Sequence, residues 1–250
     1  MRRFLTPLLV LIPIFLFANN IDHKISTAND FYKNKQYESA IELYEEIINS
    51  GIVSSSVYYN LGNSYFRIGK LGLSVLNFEK AKKIDPNDED IIHNLEFVTS
   101  RITDKVDPIP QFFLFGWWEF FISTFTVNML TMICYILYLL IIILVLSFIF
   151  NKAARTKRKI FFTLIPTVVF MFAFIIALIG KISYESANEY AVIIESRISV
   201  KNSPDEKERD IFLLHEGLKI KIEDNVDKWV KIRLADGKVG WVEKSTVTKI

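Results

Sequence analysis

Two long runs without a charged side chain most constrain what this chain can fold into. Residues 120–151 and 160–180 contain no Asp, Glu, Lys or Arg. A helix needs roughly 20 apolar residues to cross the hydrocarbon core of a bilayer, and each run is long enough. We therefore predict two transmembrane helices, within residues 124–150 and 160–181. The alternative is a pair of buried core helices, but core helices seldom stay uncharged over such lengths.

The segment between the runs, residues 151–159, holds five basic side chains and no acidic one. Short loops rich in Lys and Arg remain on the cytoplasmic side of a membrane. We therefore predict a cytoplasmic basic loop here, with both flanking regions on the opposite side. The two runs carry no charged group that would mark a transport pathway, so the hairpin is interpreted as an anchor.

The first residues of the chain have the pattern of an export signal. A basic start, Met1-Arg2-Arg3, precedes the apolar stretch Phe4–Ala18. This predicts a signal peptide over residues 1–18. Leu16 stands where a cleavage site usually has a small residue. Without cleavage the segment becomes an anchor with its basic end inside, so the following residues lie outside in either case.

An aromatic segment leads into the first uncharged run. Trp117 and Trp118 lie within Gln111–Ser123, among several phenylalanines. Aromatic side chains favour the interface between membrane and water. Residues 104–123 are therefore predicted to be a linker and an interfacial segment. The alternative is that the aromatic part begins a longer tilted helix.

Residues 22–103 repeat with a period of 34. The aligned positions are small or aromatic: Ala28 with Gly62, Phe31 with Tyr65, Ala40 with Ser74, and Tyr44 with Phe78. Small residues let two helices approach closely, and aromatic residues fill the space between them. This pattern resembles the tetratricopeptide repeat, a helix–turn–helix unit. We predict an all-α tetratricopeptide repeat array over residues 22–103.

The segment Asp88–Thr103 is predicted to be a further helix that covers the end of the array. Asp88 is the expected N-cap, and Glu89 and Asp90 suit the positive end of the helix dipole. An apolar face is expected to pack against the second repeat. Its residues are Ile91, Ile92, Leu95, Phe97 and Val98.

Repeats of this type bind peptides or proteins on a concave face lined by the first helix of each pair, here called the first-helix face. The register predicts these binding residues: Asn29, Tyr32, Lys33, Tyr59, Asn60, Asn63, Phe66 and Arg67. Asn29 and Asn60 resemble the two asparagines of the carboxylate clamp in chaperone-binding repeat domains. Ile25, Asp90 and Asn94 stand where that clamp has basic residues. The alternative is a polar, solvated surface without a specific clamp.

From Tyr190 onward the composition changes to β-branched residues in alternation with polar ones. This pattern predicts five short strands. They are Ala191–Ile194, Ile198–Val200, Leu218–Ile222, Trp229–Arg233 and Gly240–Val242. Asp236-Gly237 between the last two predicts a hairpin turn.

The order of these segments resembles the bacterial SH3-like domain, through Ser199–Pro204, His215–Gly217 and Asp236–Val242. We predict a small all-β SH3-like barrel over residues 188–250. Such domains often recognise cell-wall peptides or proteins, which implies Trp229 and Trp241 as groove residues. Because a small barrel also needs large apolar side chains inside, each tryptophan can instead belong to the core.

Taken in order, the export signal, the repeats, the hairpin with its basic turn and the SH3-like end resemble the BatE family of the Bacteroides aerotolerance operons. Leu214–Gly217, Trp229–Gly237 and Gly240–Val242 carry much of the resemblance. It implies a bacterial inner-membrane protein with both soluble domains in the periplasm. The resemblance also implies that the protein acts together with von Willebrand-type Bat proteins and a MoxR-type ATPase, in a role linked to aerotolerance or stress.

No group of residues in the sequence indicates catalysis. The histidines, His23, His93 and His215, lie in three separate regions without metal-ligand spacing. Phosphate-binding and serine-nucleophile motifs are absent from the sequence. The formal net charge of +2 does not indicate a nucleic-acid partner.

We therefore expect a non-enzymatic, membrane-anchored scaffold or adaptor with no cofactor or metal, whose modules bind proteins of an envelope complex. One alternative is a cell-wall sensor that binds peptidoglycan through the SH3-like domain. An envelope hydrolase is a third, weaker hypothesis.

Overall fold

The computed structural model describes residues 21–109 and 113–250. The predicted signal peptide, residues 1–18, lies outside them. Residues 21–109 together with Tyr190–Ile250 form one compact unit, and residues 113–189 form another. The predicted fold class is confirmed: a tetratricopeptide-like helical array, two long apolar helices, and a C-terminal antiparallel sheet consistent with an SH3-like all-β domain.

Five helices build the array. They are α1 (residues 21–33), α2 (Tyr37–Asn49), α3 (Ser55–Arg67), α4 (Leu71–Ile84) and α5 (Glu89–Thr99). The helix α3 ends one repeat period after α1, and α4 begins one repeat period after α2. The sequence period is therefore the spacing of two successive helical pairs.

Small residues set the close contact within each pair. A Cβ atom at Gly62 would lie 3.1 Å from the ring of Phe78, which is fully buried. The buried hydroxyl of Ser74 donates to the Gly62 carbonyl at 2.8 Å. In the first pair, Ala28 and Tyr44 hold the positions of Gly62 and Phe78 and are likewise fully buried. The aligned small and aromatic positions thus form the helix-to-helix core.

The helix α5 covers the second pair with Ile91, Leu95 and Val98. Its predicted cap is confirmed, because the Asp88 carboxylate accepts hydrogen bonds from the backbone N–H groups of Asp90 and Ile91. One expectation was wrong, because the helix ends at Thr99 rather than Thr103. Phe97 is 41% exposed, but its ring contacts Phe66 of the second repeat.

The sheet has seven strands rather than five. They are β1 (Glu189–Ile193), β2 (Arg197–Lys201), β3 (Asp210–His215), β4 (Lys219–Val226), β5 (Trp229–Arg233), β6 (Val239–Glu243) and β7 (Val247–Lys249). Their order in the sheet is β3-β2-β6-β5-β4-β1-β7. The prediction missed β3 and β7, the two edge strands, which pair with β2 and β1.

The core of the sheet comes from side chains on one face of the strands. Val230 and Ile232 of β5 alternate with Trp229, Lys231 and Arg233 and point into this core. The predicted hairpin between β5 and β6 is confirmed, with Arg233 paired to Val239. Gly237 supplies the turn with a positive φ of 86°, a conformation that glycine adopts at no steric cost.

The sheet packs against the second helical pair within the first unit. Val192 of β1 is fully buried beside Val75 and Phe78 of α4. Ile102 and Val106, which follow α5, pack against the core of the sheet. Ile102 also packs against the cluster of α4 and α5, so the core of the sheet adjoins that of the second helical pair.

Polar contacts accompany this junction. Glu216, in the turn before β4, accepts a hydrogen bond from the Gly72 N–H at 2.8 Å. The residue before α4, Lys70, makes no side-chain cap bond, so the carboxylate of Glu216 serves the positive end of this helix. Lys219 forms an ion pair with Glu79 at 2.7 Å.

The second unit contains α6 (Phe113–Thr124), α7 (Val127–Phe150) and α8 (Ala154–Ala187). Among the described residues, α7 and α8 are the helices long and apolar enough to cross a membrane. The most apolar window of α7 has a mean hydropathy of 3.0 and is not buried at all, unlike a core helix of a soluble protein. The connection between them is only residues 151–153, so most of the basic segment belongs to the first turns of α8.

Candidate protein-binding face

The structure brings the predicted residues of α1 and α3 together across the two helices. The Asn60 side chain donates from Nδ2 to Oδ1 of Asn29 at 3.0 Å. The Arg67 guanidinium donates from Nε to the Tyr32 hydroxyl oxygen at 3.4 Å. Two polar contacts therefore link the first helices of the two pairs along the first-helix face.

A buried tyrosine orients Asn29. The Tyr44 hydroxyl donates to Oδ1 of Asn29 at 2.6 Å. Burial raises the pKa of Tyr44 to about 12, so the hydroxyl stays protonated and remains a donor at neutral pH. With Oδ1 accepting from both Tyr44 and Asn60, the amide hydrogens of Asn29 have no acceptor among the described residues.

Tyr59 and Phe66 connect α3 to α5. The Asn94 side chain donates to the Tyr59 hydroxyl at 2.8 Å. The rings of Phe66 and Phe97 meet edge to face with centroids 5.6 Å apart. The first-helix face therefore continues onto α5, which the prediction treated only as a covering helix.

The other two predicted residues are less constrained. Lys33, near the end of α1, contacts the Asp30 carboxylate at 3.4 Å and has a side chain 74% exposed. Asn63 lies half-buried on α3, one helical turn before Arg67. Both are placed where a bound segment could reach them.

Sequence reasoning did not predict that Phe97 and Arg101 belong to the first-helix face. The Arg101 guanidinium lies over the ring of Phe97 at 4.6 Å and near that of Phe66 at 6.0 Å. Arg101 follows Arg67 by one repeat period, as Arg67 follows Lys33. Extending the period to a third unit would have found this position.

The clamp positions hold no cation. Ile25 packs against the core of the first pair. The Asn94 side chain donates to both the Tyr59 hydroxyl and the Asp90 carbonyl. A bound carboxylate would therefore meet the amides of Asn29 and Asn60 without the basic partners of the chaperone-binding clamp.

The two tryptophans of the sheet share one face, opposite to its core. Trp229 pairs with Glu243, and Trp241 pairs with Lys231 one step along the same two strands. Trp229 is only 5% exposed, whereas Trp241 is half-buried. Trp229 therefore offers little surface to a ligand, and most of the exposed aromatic surface predicted for the groove belongs to Trp241.

In a comparison with known families, residues 55–88 match the tetratricopeptide repeat. The matched segment spans α3 and α4 and ends at the cap of α5. The chain matches no curated protein. The tetratricopeptide repeat is a protein-interaction fold, which supports a role in binding other proteins.

Proposed function

We propose that this protein is a membrane-anchored scaffold that holds a partner protein on the first-helix face of its repeats. The observation that carries this proposal is the arrangement around Asn29. Its carbonyl is fixed by Tyr44 and Asn60, while its amide hydrogens, which find no acceptor in the described part of the chain, can donate to a ligand. A fixed amide of this kind suits recognition of a peptide backbone, because its N–H groups can donate to backbone carbonyl oxygens.

In this proposal α7 and α8 cross a bacterial inner membrane as a hairpin. Their length and apolar composition support it. The basic residues Lys152 to Lys159 then lie on the cytoplasmic side, which puts the repeats and the sheet together in the periplasm. The aromatic helix α6, with Trp117 68% exposed, would lie at the interface.

The resemblance to the BatE family suggests the kind of partner. We propose von Willebrand-type Bat proteins and a MoxR-type ATPase system as the envelope assembly, with a role in aerotolerance or stress. The order of the segments and the closing residues of the sheet support this, and the helical repeats supply a surface suited to proteins.

Peptidoglycan binding by the sheet is the weaker function. It depends on an aromatic groove at Trp229 and Trp241, and Trp229 is largely covered. Sugar and peptide ligands of a cell wall would then have one partly exposed tryptophan to stack on. We therefore place the binding site on the repeats.

The proposal is tested by photocrosslinking in living cells. A photoreactive residue replaces Asn63 on the first-helix face of the full-length protein, and a matched variant carries it at Lys82 on α4. We expect a protein adduct from Asn63 that the Lys82 variant does not form. Capture of no protein from Asn63, with normal expression, would contradict the proposal.

The topology is tested separately by cysteine accessibility. After replacement of Cys134, a cysteine at Ser203 is expected to react with an impermeant thiol reagent in intact cells, and a cysteine at Ala153 is expected to react only after lysis. The reverse pattern would contradict the predicted orientation.

A further inference from the structure

The first-helix face carries a cation at the same register of three successive helical layers. Lys33, Arg67 and Arg101 follow one another at intervals of one repeat period, and all three are exposed. They lie at or just after the ends of α1, α3 and α5. The repeat geometry therefore lines up three positive groups along one side of the face.

Arg67 and Arg101 each contact an aromatic side chain on the first helix of the preceding pair. Arg67 donates to the hydroxyl of Tyr32 on the preceding layer. Arg101 lies near the ring of Phe66, which is the register equivalent of Tyr32. Aromatic contacts orient a guanidinium without neutralising its charge. In the described part of the chain, neither arginine is paired with a carboxylate, whereas Lys33 contacts Asp30.

A row of amides runs beside the cations. Asn29 and Asn63 share one register position, and Asn60 and Asn94 share another. Phe97, 41% exposed, adds an apolar surface next to Arg101. Carboxylates would be attracted by the cations, and a peptide backbone would find hydrogen-bond partners in the amides.

We infer that the first-helix face binds an extended acidic segment of the partner protein, whose carboxylates lie along Lys33, Arg67 and Arg101. This inference rests on the proposed function and names the chemistry of its ligand. An anionic membrane surface would also be attracted by three cations. The amides repeat at two registers along the face and match the regularly spaced N–H and C=O groups of an extended peptide, which is why the peptide is favoured.

Cations at the C-terminal ends of helices also interact favourably with the helix dipole. That role alone would account for a Lys or Arg at each position. It predicts a change in stability when the cation is removed and no change in peptide affinity. The two roles are therefore separable by experiment.

The test measures binding of a fluorescent peptide of alternating glutamate and alanine to the full-length protein in detergent, by anisotropy at low and high salt. Peptides with glutamine or lysine in place of glutamate are the ligand controls. Lys33→Gln, Arg67→Gln and Arg101→Gln are compared with Lys82→Gln, which removes a cation from α4 instead. A soluble short-chain phosphatidylglycerol is the lipid competitor.

We expect only the glutamate peptide to bind, with a salt-sensitive affinity. Lys33→Gln, Arg67→Gln and Arg101→Gln should each weaken the affinity for the glutamate peptide by roughly two- to fivefold. Lys82→Gln should leave that affinity unchanged. Equal binding of the glutamine peptide, or equal loss in Lys82→Gln, would overturn the inference. Binding of the lipid through the same three cations, without binding of the peptide, would overturn it as well.

The outcome is distinguishable from failure of the proposed function. If Asn63 captures a protein in cells but the glutamate peptide does not bind, the scaffold role stands and the acidic ligand is wrong. If neither experiment gives binding, both fail.

Discussion

At the scale of single residues, Tyr44 links the interior of the first helical pair to its binding face. Its ring is fully buried in the core, yet its hydroxyl reaches the Asn29 side chain. A buried polar group must be hydrogen-bonded, since an unpaired one costs free energy. The packing of the core and the orientation of Asn29 are therefore coupled through one hydroxyl.

This coupling predicts the effect of Tyr44→Phe. The ring is retained, but Asn29 loses a donor, so the free energy of unfolding should fall by about 0.5–1.5 kcal/mol. The measurement is urea unfolding of the full-length protein in detergent. Tyr37→Phe is the matched control, because within the described residues this half-buried tyrosine makes its contact through the ring, against Tyr32. Equal losses in both variants would mean that the Tyr44 hydroxyl contributes nothing.

At the scale of elements, the start of α4 lies close against the sheet. A Cβ atom at Gly72 would lie 2.7 Å from the Ile193 carbonyl oxygen and 3.1 Å from Cβ of Glu216. Glycine normally weakens a helix by about 1 kcal/mol relative to alanine. Here the missing Cβ permits the approach of β1 and the turn before β4.

Gly72→Ala is therefore expected to destabilise the protein, opposite to the effect of helix propensity. A contact this short to a backbone atom requires the sheet to shift, and overpacking typically costs about 1–3 kcal/mol. The melting temperature of the full-length protein should fall. Gly116→Ala in α6 is the control, since no described atom beyond its own helix backbone lies within 4 Å of its added Cβ. Its melting temperature should stay the same or rise, and the same result for Gly72→Ala would contradict the proposed close packing.

The elements also separate what local sequence can predict from what it cannot. The helical pairs follow from the spacing of small and aromatic residues, because these residues contact the adjoining helix of the same pair, as Gly62 and Phe78 do. The strands β3 and β7 were missed for different reasons: Asp210–His215 lacks clear alternation, and Val247–Lys249 is very short. The hydrogen bond between Gly72 and Glu216 joins two parts of the chain that lie far apart in sequence, before and after the hairpin. A local sequence pattern therefore could not predict it.

At the scale of the whole molecule, the repeats and the sheet are parts of one unit that is interrupted in sequence by the hairpin. The chain leaves the unit after Ile109 and returns at Tyr190. Val192 completes the apolar cluster of α4 and α5, as a terminal cap does for a repeat array. The sheet therefore contributes to the apolar core of the array, and a partner bound to the repeats is bound to the combined unit.

This organisation predicts that the array and the sheet lose stability together. Glu216→Ala removes the carboxylate that accepts the hydrogen bond from the N-terminus of α4. Amide hydrogens should then exchange faster in both α4 and β4, because the free energy of opening should fall by about 0.5–2 kcal/mol in each. The measurement is hydrogen exchange of the full-length protein in detergent at increasing urea. Glu195→Ala, an exposed site between β1 and β2, is the matched control and should leave both segments unchanged. Faster exchange confined to the turn around residue 216 would mean that the two modules open independently, and the shared unit would then be wrong.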